Sequence, residues 1–600
     1  MLALGGQPRR NGIPLDRDDS NMRDSGRAGA RWLRSDHQLN DSSALAVTPF
    51  LQVPPFPASA DPTFAQRSAP DHPPAADEEV DSLVAAVRLT KVGGAYWGRQ
   101  PVLPAEPYVL VRIRDSEERG RRLKSLDPRA SVIVWMDFAA GVDSIPYARA
   151  RVVTGTCDPW HLLSGASTAI VDSDNELALF AAIGGVPLEC LGAGLFAGLD
   201  GIASSSTLRD LFRRYVIDPF SYSDPYSGDP ISFVRALEYC SFWRQLIDSN
   251  RDIRAAVGFA FWKRSTVGPL LWRGSEETPF GEDPTRVERG EPVALWRARA
   301  SAAAVADLEK RGARLIEVED GFIRSTGLGA DCVPPLSIVV DRLGAHFDPA
   351  RPSELEQLIE HAVFPPDILE RARELRRLIV DSGVSKYASG RRSLERRAAD
   401  RLHVLVPGQV EDDRAVISGG GGLTSNFELL RRVRAQRPEA YIIYKPHPDV
   451  EAGHRRGAVR DTLCLSVADE IVSNEPISGL LDIADEVHVN SSLAGFEALM
   501  REKRVTTYGV PFYAGWGLTQ DLGPVPSRRT TVRSLDELVA AVLLLYPRYL
   551  DPVSGLPCPP EVLVRRLTEP QQAGRDGMVV RLRKLQGRCR RGLAALKRAR

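Results

Sequence analysis

With 600 residues and 78 Lys plus Arg balanced by 78 Asp plus Glu, the chain is too long for one core and carries no net field that would draw it to nucleic acid. No apolar run approaches the roughly eighteen residues of a membrane-spanning helix, and the Arg- and Asp-rich start lacks the apolar stretch of a secretory signal. Seven cysteines at 157, 190, 240, 332, 464, 558 and 589 show neither CxxC nor zinc spacing, which points to reduced thiols in the cytosol and to no metal site.

Residues 1–84 are rich in Asp, Arg, Ser, Ala and Pro and read as a disordered arm. Their one apolar cluster, FLQVPPFP at 50–57, is a candidate docking segment whose prolines forbid a helix or an inner strand. From about 85 a βα pattern begins, with buried-strand runs at 108–112 and 131–135, a run at 170–171, a helix over 176–183 and a helical reading over 231–260. A second βα series starts near 290. Strands are expected at 292–296, 314–318, 336–340, 402–406, 441–444, 486–489 and 505–508. Helices are expected at 300–311, 353–382, 493–501 and 534–545, with Gly312 capping the first.

Several of these strands end on charge. VPGQVEDD at 406–413 offers an amide and carboxylates, KPHPD at 445–449 offers Lys445 and His447, and the strand at 314–318 runs into Glu319 and Asp320. This is the pattern of the carboxyl edge of a parallel sheet, where open α/β folds bind ligands. A site with both signs can hold an anionic leaving group and move a proton. The glycine run at 419–422 is no phosphate loop, because no Lys-Ser/Thr follows it; it reads as a flexible loop able to close over substrate.

The chain also repeats itself. YxDPxSGxP occurs at 222–230 and again at 549–557, and the segment 192–198 parallels 509–515. A period of over three hundred residues means a duplicated domain, of which the first copy keeps only the second half. Where the second copy has QVED at 409–412, KPHP at 445–448, the serine pair at 491–492 and Glu497, the first has RIRD at 112–115, VWMDF at 134–138, a pair near 173–174, and Phe180, so the residue types expected to do chemistry differ. The first copy is therefore expected to be catalytically dead and to serve packing or partner binding.

The second copy resembles the bacterial capsule-synthesis retaining β-Kdo transferases. The resemblance rests on EDGFIRSTGLG at 319–329, VPPLS at 333–337, VPGQVEDD at 406–413, IYKPHPDV at 443–450, SSLAGFEA at 491–498 and YGVPFYAGW at 508–516, in unbroken order over about 255–565. It implies an α/β, GT-B-like pair of Rossmann-type domains, here preceded by the truncated degenerate copy and the arm. The expected division is 1–84 arm, 85–250 half-module, 251–398 first lobe, 399–565 donor-binding second lobe and 566–600 basic tail. It further implies CMP-Kdo as donor substrate with no cofactor, retention of anomeric configuration, and an acceptor glycan built on a membrane phospholipid. Action beside the capsule assembly and export machinery, in the cytoplasm at the inner face of the cytoplasmic membrane, follows from that acceptor.

Retention by double displacement needs a carboxylate nucleophile. Asp320 is the first choice and Glu319 the second; both could instead cap the following loop. Glu411 is the expected acid–base residue, against a plain surface turn of acids. His447, stiffened between two prolines, is expected to donate to the leaving phosphate, with Lys445 beside it. Ser491 and Ser492 open a helix and would hold a phosphate there, though ordinary N-capping is the commoner fate of such a pair. Glu497 would accept from the ribose or the cytosine. Gln409, Pro448 and Arg324 complete the donor set through the motifs that carry them. After about 574 the tail is basic, and Leu582, Leu585, Cys589, Leu593 and Leu596 form one apolar stripe, as in a helix lying on an anionic membrane. Two other readings stay open: a non-catalytic scaffold of capsule assembly and export, and a transferase using another CMP-ulosonic acid.

Overall fold

Runs of Val, Ile and Leu that stop at Pro, Gly or a charged residue become the strands. The structure is a computed structural model that describes residues 48–60, 62–67, 76–138, 147, 149–201, 204–276, 278, 280–281, 284–325, 332–386, 394–398, 400–453, 455–473 and 475–569. From Pro49 onward they belong to one compact unit. In chain order the strands are β1 (Ala65–Arg67), β2 (Tyr108–Arg112), β3 (Ser131–Met136), β4 (Ala150–Thr154), β5 (Ala166–Asp172), β6 (Leu188–Leu191), β7 (Phe220–Ser223), β8 (Pro230–Ile231), β9 (Ala255–Val257) and β10 (Pro292–Leu295). There follow β11 (Arg314–Asp320), β12 (Ser337–Asp341), β13 (His403–Pro407), β14 (Tyr441–Lys445), β15 (Glu470–Ile471), β16 (Glu486–Val489), β17 (Arg504–Thr507), β18 (Gln520–Asp521), β19 (Pro547–Leu550) and β20 (Pro557–Cys558).

Two sheets are wholly parallel. One runs β4-β3-β2-β5-β6 and the other β15-β14-β13-β16-β17-β18. Counted from its first strand, each follows the same order over five strands. A third sheet, β20-β19-β12-β11-β10-β9, is mixed: β9, β10 and β11 are parallel, and β12, β19 and β20 add on antiparallel. A small antiparallel sheet, β1-β7-β8, repeats the arrangement of β12, β19 and β20 beside the first parallel sheet. The turn shared by the two repeats has a shared cause. Asp224 accepts from the backbone N–H of Tyr226 and Ser227 at 2.8 and 3.0 Å, and Asp551 accepts from those of Val553 and Ser554 at 3.2 and 3.0 Å.

Four expectations are corrected. The helical reading of 231–260 stops early: the helix is Phe233–Asp248, and β9 follows within ten residues. The reading of 353–382 as one helix fails at Pro365 and Pro366, which end Glu354–His361 and start Pro366–Ser382. The last expected helix closes nothing. Leu535–Val539 passes into a π-helical turn, Ala540–Leu545, after which β19 and β20 return to the mixed sheet and pair through Ser337 and Tyr549. Finally, the 1–84 arm is ordered in its described parts. Phe50, Leu51, Phe56 and Phe64 are buried, and the helix Asp77–Thr90 follows. Phe56 packs on Trp243 and Trp272 at centroid distances of 6.4 and 4.9 Å, and the Ala60 N–H donates to the Ser554 carbonyl at 2.7 Å. An extended proline-rich segment needs no ladder partners, so it can lie across a seam and fill it with aromatic rings.

That seam joins the two copies. The Tyr226 hydroxyl and the Trp243 Nε1–H both donate to the Pro557 carbonyl, at 2.6 and 3.0 Å, and Arg566 donates to the Tyr226 carbonyl at 2.6 Å. One apolar cluster runs from Phe322 and Leu355 through Leu405, Val487 and Trp516 to Leu563, so it spans both lobes of the second copy.

Candidate active site

The carboxyl ends of β9, β10 and β11 face those of β13, β14 and β16 across a cleft of about 910 Å³. Parallel strands end their ladders there, and the loops that follow are open to ligands. The first lobe contributes Lys263, Glu319 and Asp320, and the second contributes Gln409, Lys445, His447, Ser491 and Ser492.

Asp320 ends β11 and sits between two cations. Lys263 Nζ lies 3.2 Å from Oδ1 and Arg324 Nε lies 2.9 Å from Oδ2. Burial alone would raise its pKa, but Lys263, Arg324 and Lys386 outweigh burial and hold the carboxyl well below the usual range. Glu319, its neighbour, goes the other way. Burial and the nearby Asp320 charge push its pKa up to about 7, although Arg414 donates to it at 2.7 Å. Two adjacent carboxyls are thus driven apart, one fixed as an anion and the other poised to exchange a proton near neutrality. Gly321 follows them because a Cβ there would stand 2.2 Å from Ser337 Oγ. Close packing, not a left-handed turn, demands the glycine.

The second lobe uses its polar groups differently from expectation. Glu411 does not line the cleft; its Oε1 accepts from the Asn426 N–H at 2.8 Å at the start of helix Asn426–Gln436, so it is a capping group. Gln409 bonds Ser491 twice, accepting from its N–H at 3.0 Å and donating to Oγ at 3.2 Å, and thereby fixes the loop after β16. Ser491 Oγ also donates to the Ala415 carbonyl at 3.1 Å, and Ser492 Oγ accepts from the Ala494 N–H at 3.2 Å. Ser492 thus bonds the first residue of helix Ala494–Met500, whereas Ser491 ties the loop after β16 to Gln409 and Ala415. Lys445 is buried and bonds Glu451 at 2.7 Å. His447 caps helix Pro448–Glu451, its Nδ1 accepting from the Asp449 N–H at 3.1 Å, with Pro448 as the first helical residue. Burial, with Lys386 and Lys445 nearby, lowers its pKa to about 3, so the ring is neutral and carries its proton on Nε2. Glu497 is buried and accepts from the Lys386 N–H at 3.1 Å, which ties the second lobe to the link between lobes. Arg324 lines the cleft but is fully buried against Asp320 and the Val333 carbonyl. The glycine run is packed at its start, where Gly419 accepts from the Val510 N–H at 2.7 Å and a Cβ on Gly420 would stand 2.3 Å from the Val416 carbonyl oxygen, and exposed at Gly421 and Gly422.

Several cleft residues carried no sequence signal. Lys263 lies in a short turn, Phe261–Lys263, with Nζ 3.2 Å from the Trp296 ring centroid. Arg414 reaches from helix Arg414–Gly419 of the second lobe to Glu319 and Glu317 of the first, at 2.7 and 3.5 Å. His346 and Lys386 also line it. A lone Lys beside a Trp, or one Arg after a run of acids, looks like any surface residue until the lobes are brought together.

The matching edge of the first parallel sheet is closed by its own charges. Arg114 pairs with Asp174 and, at 3.6 Å, with Asp172, while Arg112 pairs with Asp137 and stacks over Trp135 at 4.4 Å. Asp174 lies in the segment that corresponds to Ser491 and Ser492 of the second copy, and an acid there repels a phosphate. Among the described residues no His, Cys, Asp and Glu group could hold a metal ion, and no helix is long and apolar enough to cross a membrane. The tail stripe from Leu582 to Leu596 lies outside the described residues.

The two facing sheets and their shared cleft define a mixed α/β protein of GT-B-like architecture. A family model described as "Capsule polysaccharide biosynthesis protein" matches residues 291–396 and 373–549. The chain belongs to that capsule polysaccharide biosynthesis family. It is 37% identical over 350 residues to the capsule polysaccharide modification protein LipA of Neisseria meningitidis serogroup A, covering 58% of this chain and 49% of LipA. It is 46% identical over 239 residues to the lipopolysaccharide-processing protein LpsZ of Rhizobium meliloti, covering 39% of this chain and 54% of LpsZ. The chain thus spans about half the length of these curated relatives. Among solved structures it is 32% identical to the β-Kdo 2,7 transferase of Thermosulfurimonas dismutans KpsC, covering 52% of this chain and 98% of that one with a TM-score of 0.43.

Proposed function

We propose that this protein is a retaining glycosyltransferase that moves Kdo from CMP-Kdo to a lipid-linked glycan during capsule polysaccharide synthesis. The observation that carries the reading is the Glu319–Asp320 pair, whose members are driven to opposite protonation behaviour inside the interlobe cleft. Membership of the capsule family and the ordered motifs of the second copy support the substrate class.

In the first half-reaction an Asp320 oxygen forms a bond to the anomeric carbon. The carbon–oxygen bond to the phosphate breaks, and its electron pair leaves with CMP. Neutral His447 donates its Nε2–H to a phosphate oxygen, and Lys445 offsets the charge. In the second half-reaction the acceptor hydroxyl attacks the same carbon, the bond to Asp320 breaks, and the proton passes to Glu319. Two inversions leave the configuration unchanged. Glu319 takes the proton-transfer role because Glu411 is turned away from the cleft. The acceptor sits at the inner face of the cytoplasmic membrane, beside the assembly and export machinery.

The test is transfer from CMP-Kdo to a synthetic Kdo-primed lipid, with intact-protein mass spectrometry alongside. Wild type should give product with retained configuration, and Asp320→Ala should give none. An adduct found on a carboxylate other than Asp320 would reassign the nucleophile. Absence of both product and adduct with fresh donor would leave the scaffold reading in its place.

A further inference from the structure

Lys263 has no part in the steps above beyond neutralising Asp320, yet its setting asks for more. Its side chain is 7% exposed, with Nζ 3.2 Å from Asp320 Oδ1, 3.2 Å from the Trp296 ring centroid and 5.3 Å from that of Trp262. An enclosed ammonium is tolerated only while an anion and good acceptors face it. The resting protein supplies that anion as the Asp320 carboxylate. Once Asp320 becomes an ester to the sugar, its charge has gone to the departing phosphate. Lys263 then stays enclosed beside a neutral ester. Glu319, the neighbouring carboxyl, is held by Arg414, so an anion arriving with the sugar would replace the partner that Lys263 loses at Asp320.

The 2-ulosonate class brings one in the right place, because its carboxylate is attached to the anomeric carbon itself. Asp320 must approach that carbon to roughly 3–3.5 Å to react. The carboxyl carbon is one bond away, about 1.5 Å. Its oxygens therefore fall within reach of an ammonium already 3.2 Å from Asp320. An aldose donor carries only hydrogen at that position and leaves Lys263 unpaired. We propose that Lys263 binds the carboxylate on the anomeric carbon of a 2-ulosonate donor and so selects that donor class. This rests on the transferase reading above. Trp296 holds the ammonium in place through both half-reactions by its ring face, while the carboxylate partner changes from protein to sugar.

The test uses the full chain and three probes: CMP, 2-deoxy-Kdo, and the 1-carboxamide of 2-deoxy-Kdo, each titrated calorimetrically. Wild type should bind the acid about 10- to 100-fold more tightly than the amide, the range of one charge-assisted hydrogen bond. Lys263→Met should erase that preference while leaving CMP affinity unchanged. CMP binding also reports that the variant is folded. Lys263→Arg should restore most of the preference. A full acid-over-amide preference in Lys263→Met would overturn the proposal. Equal binding of acid and amide by wild type that still binds CMP would overturn it too, with the transferase reading intact. Failure of wild type to bind CMP or either sugar would remove both.

Discussion

Glu319 and Asp320 are one peptide bond apart and meet the same burial, yet their charges are governed by different partners. Lys263 and Arg324 hold Asp320 ionised, whereas Glu319 is pushed up to about 7 by burial and by that same Asp320 charge. The sign of the pH dependence follows. As a base, Glu319 works only when ionised, so acceptor transfer should rise as the pH passes about 7. Burial lowers Lys263 to about 8, so its positive charge is lost above that point and the rate should fall. The expected profile is a narrow optimum between these two values. Glu319→Gln should keep the first half-reaction, lose the acid limb and accumulate the glycosyl-enzyme, as followed by rapid-quench mass spectrometry across pH. Unaltered turnover in Glu319→Gln would return the proton to another group. Nothing in the sequence separates the roles of two adjacent acids, because each role is written by residues such as Lys263 and Arg414, far away along the chain.

At the scale of elements, the segment 50–64 is a strap and not a tail. Phe56 is enclosed by Trp243 of the first copy and by Trp272 beside the mixed sheet, and Ala60 bonds Ser554 in the hairpin of the second copy. Phe56→Ala removes a buried ring from that seam and should cost about 3–5 kcal/mol, read as a lower urea midpoint with an unchanged slope. Loss of less than about 1 kcal/mol, the level of a surface substitution, would show the strap to be dispensable. The strands were legible in the sequence because each is a short β-branched run closed by Pro, Gly or charge; β2, β3, β10, β13 and β14 fall within a residue or two of expectation. The strap was not, since prolines erase periodicity and composition alone resembles disorder. The crossing of β19 into the first lobe was also hidden, because an antiparallel strand carries no mark of the sheet it will join. Asp320, Lys445 and His447 line the cleft as the strand-end charges suggested. Glu411 sat in the same pattern and still turned to cap a helix, and only the fold of 424–426 decides that.

At the scale of the molecule, Arg414 links the lobes to the chemistry. Arg414 extends from the second lobe to Glu319 and Glu317 of the first, with its guanidinium 5.1 Å above the Phe347 ring, while Glu317 is also held by Arg297 at 2.6 Å. The pair lowers the Glu319 pKa against burial, so the closed state and the basicity of Glu319 are coupled. Arg414→Met keeps the packing volume and removes the charge. The cleft should then open more readily, read as faster hydrogen exchange over 317–320 and 414–419. The acid limb of transfer should move above 7, because a cation that favours the ionised carboxyl is gone; each unit of that movement lowers the rate on the limb about tenfold. Arg414→Lys restores a charge without the planar fork and should recover the limb better than the exchange rate. If the limb stays near 7 in Arg414→Met while exchange rises, Arg414 holds the lobes together and leaves the proton transfer to Glu319 and its burial alone.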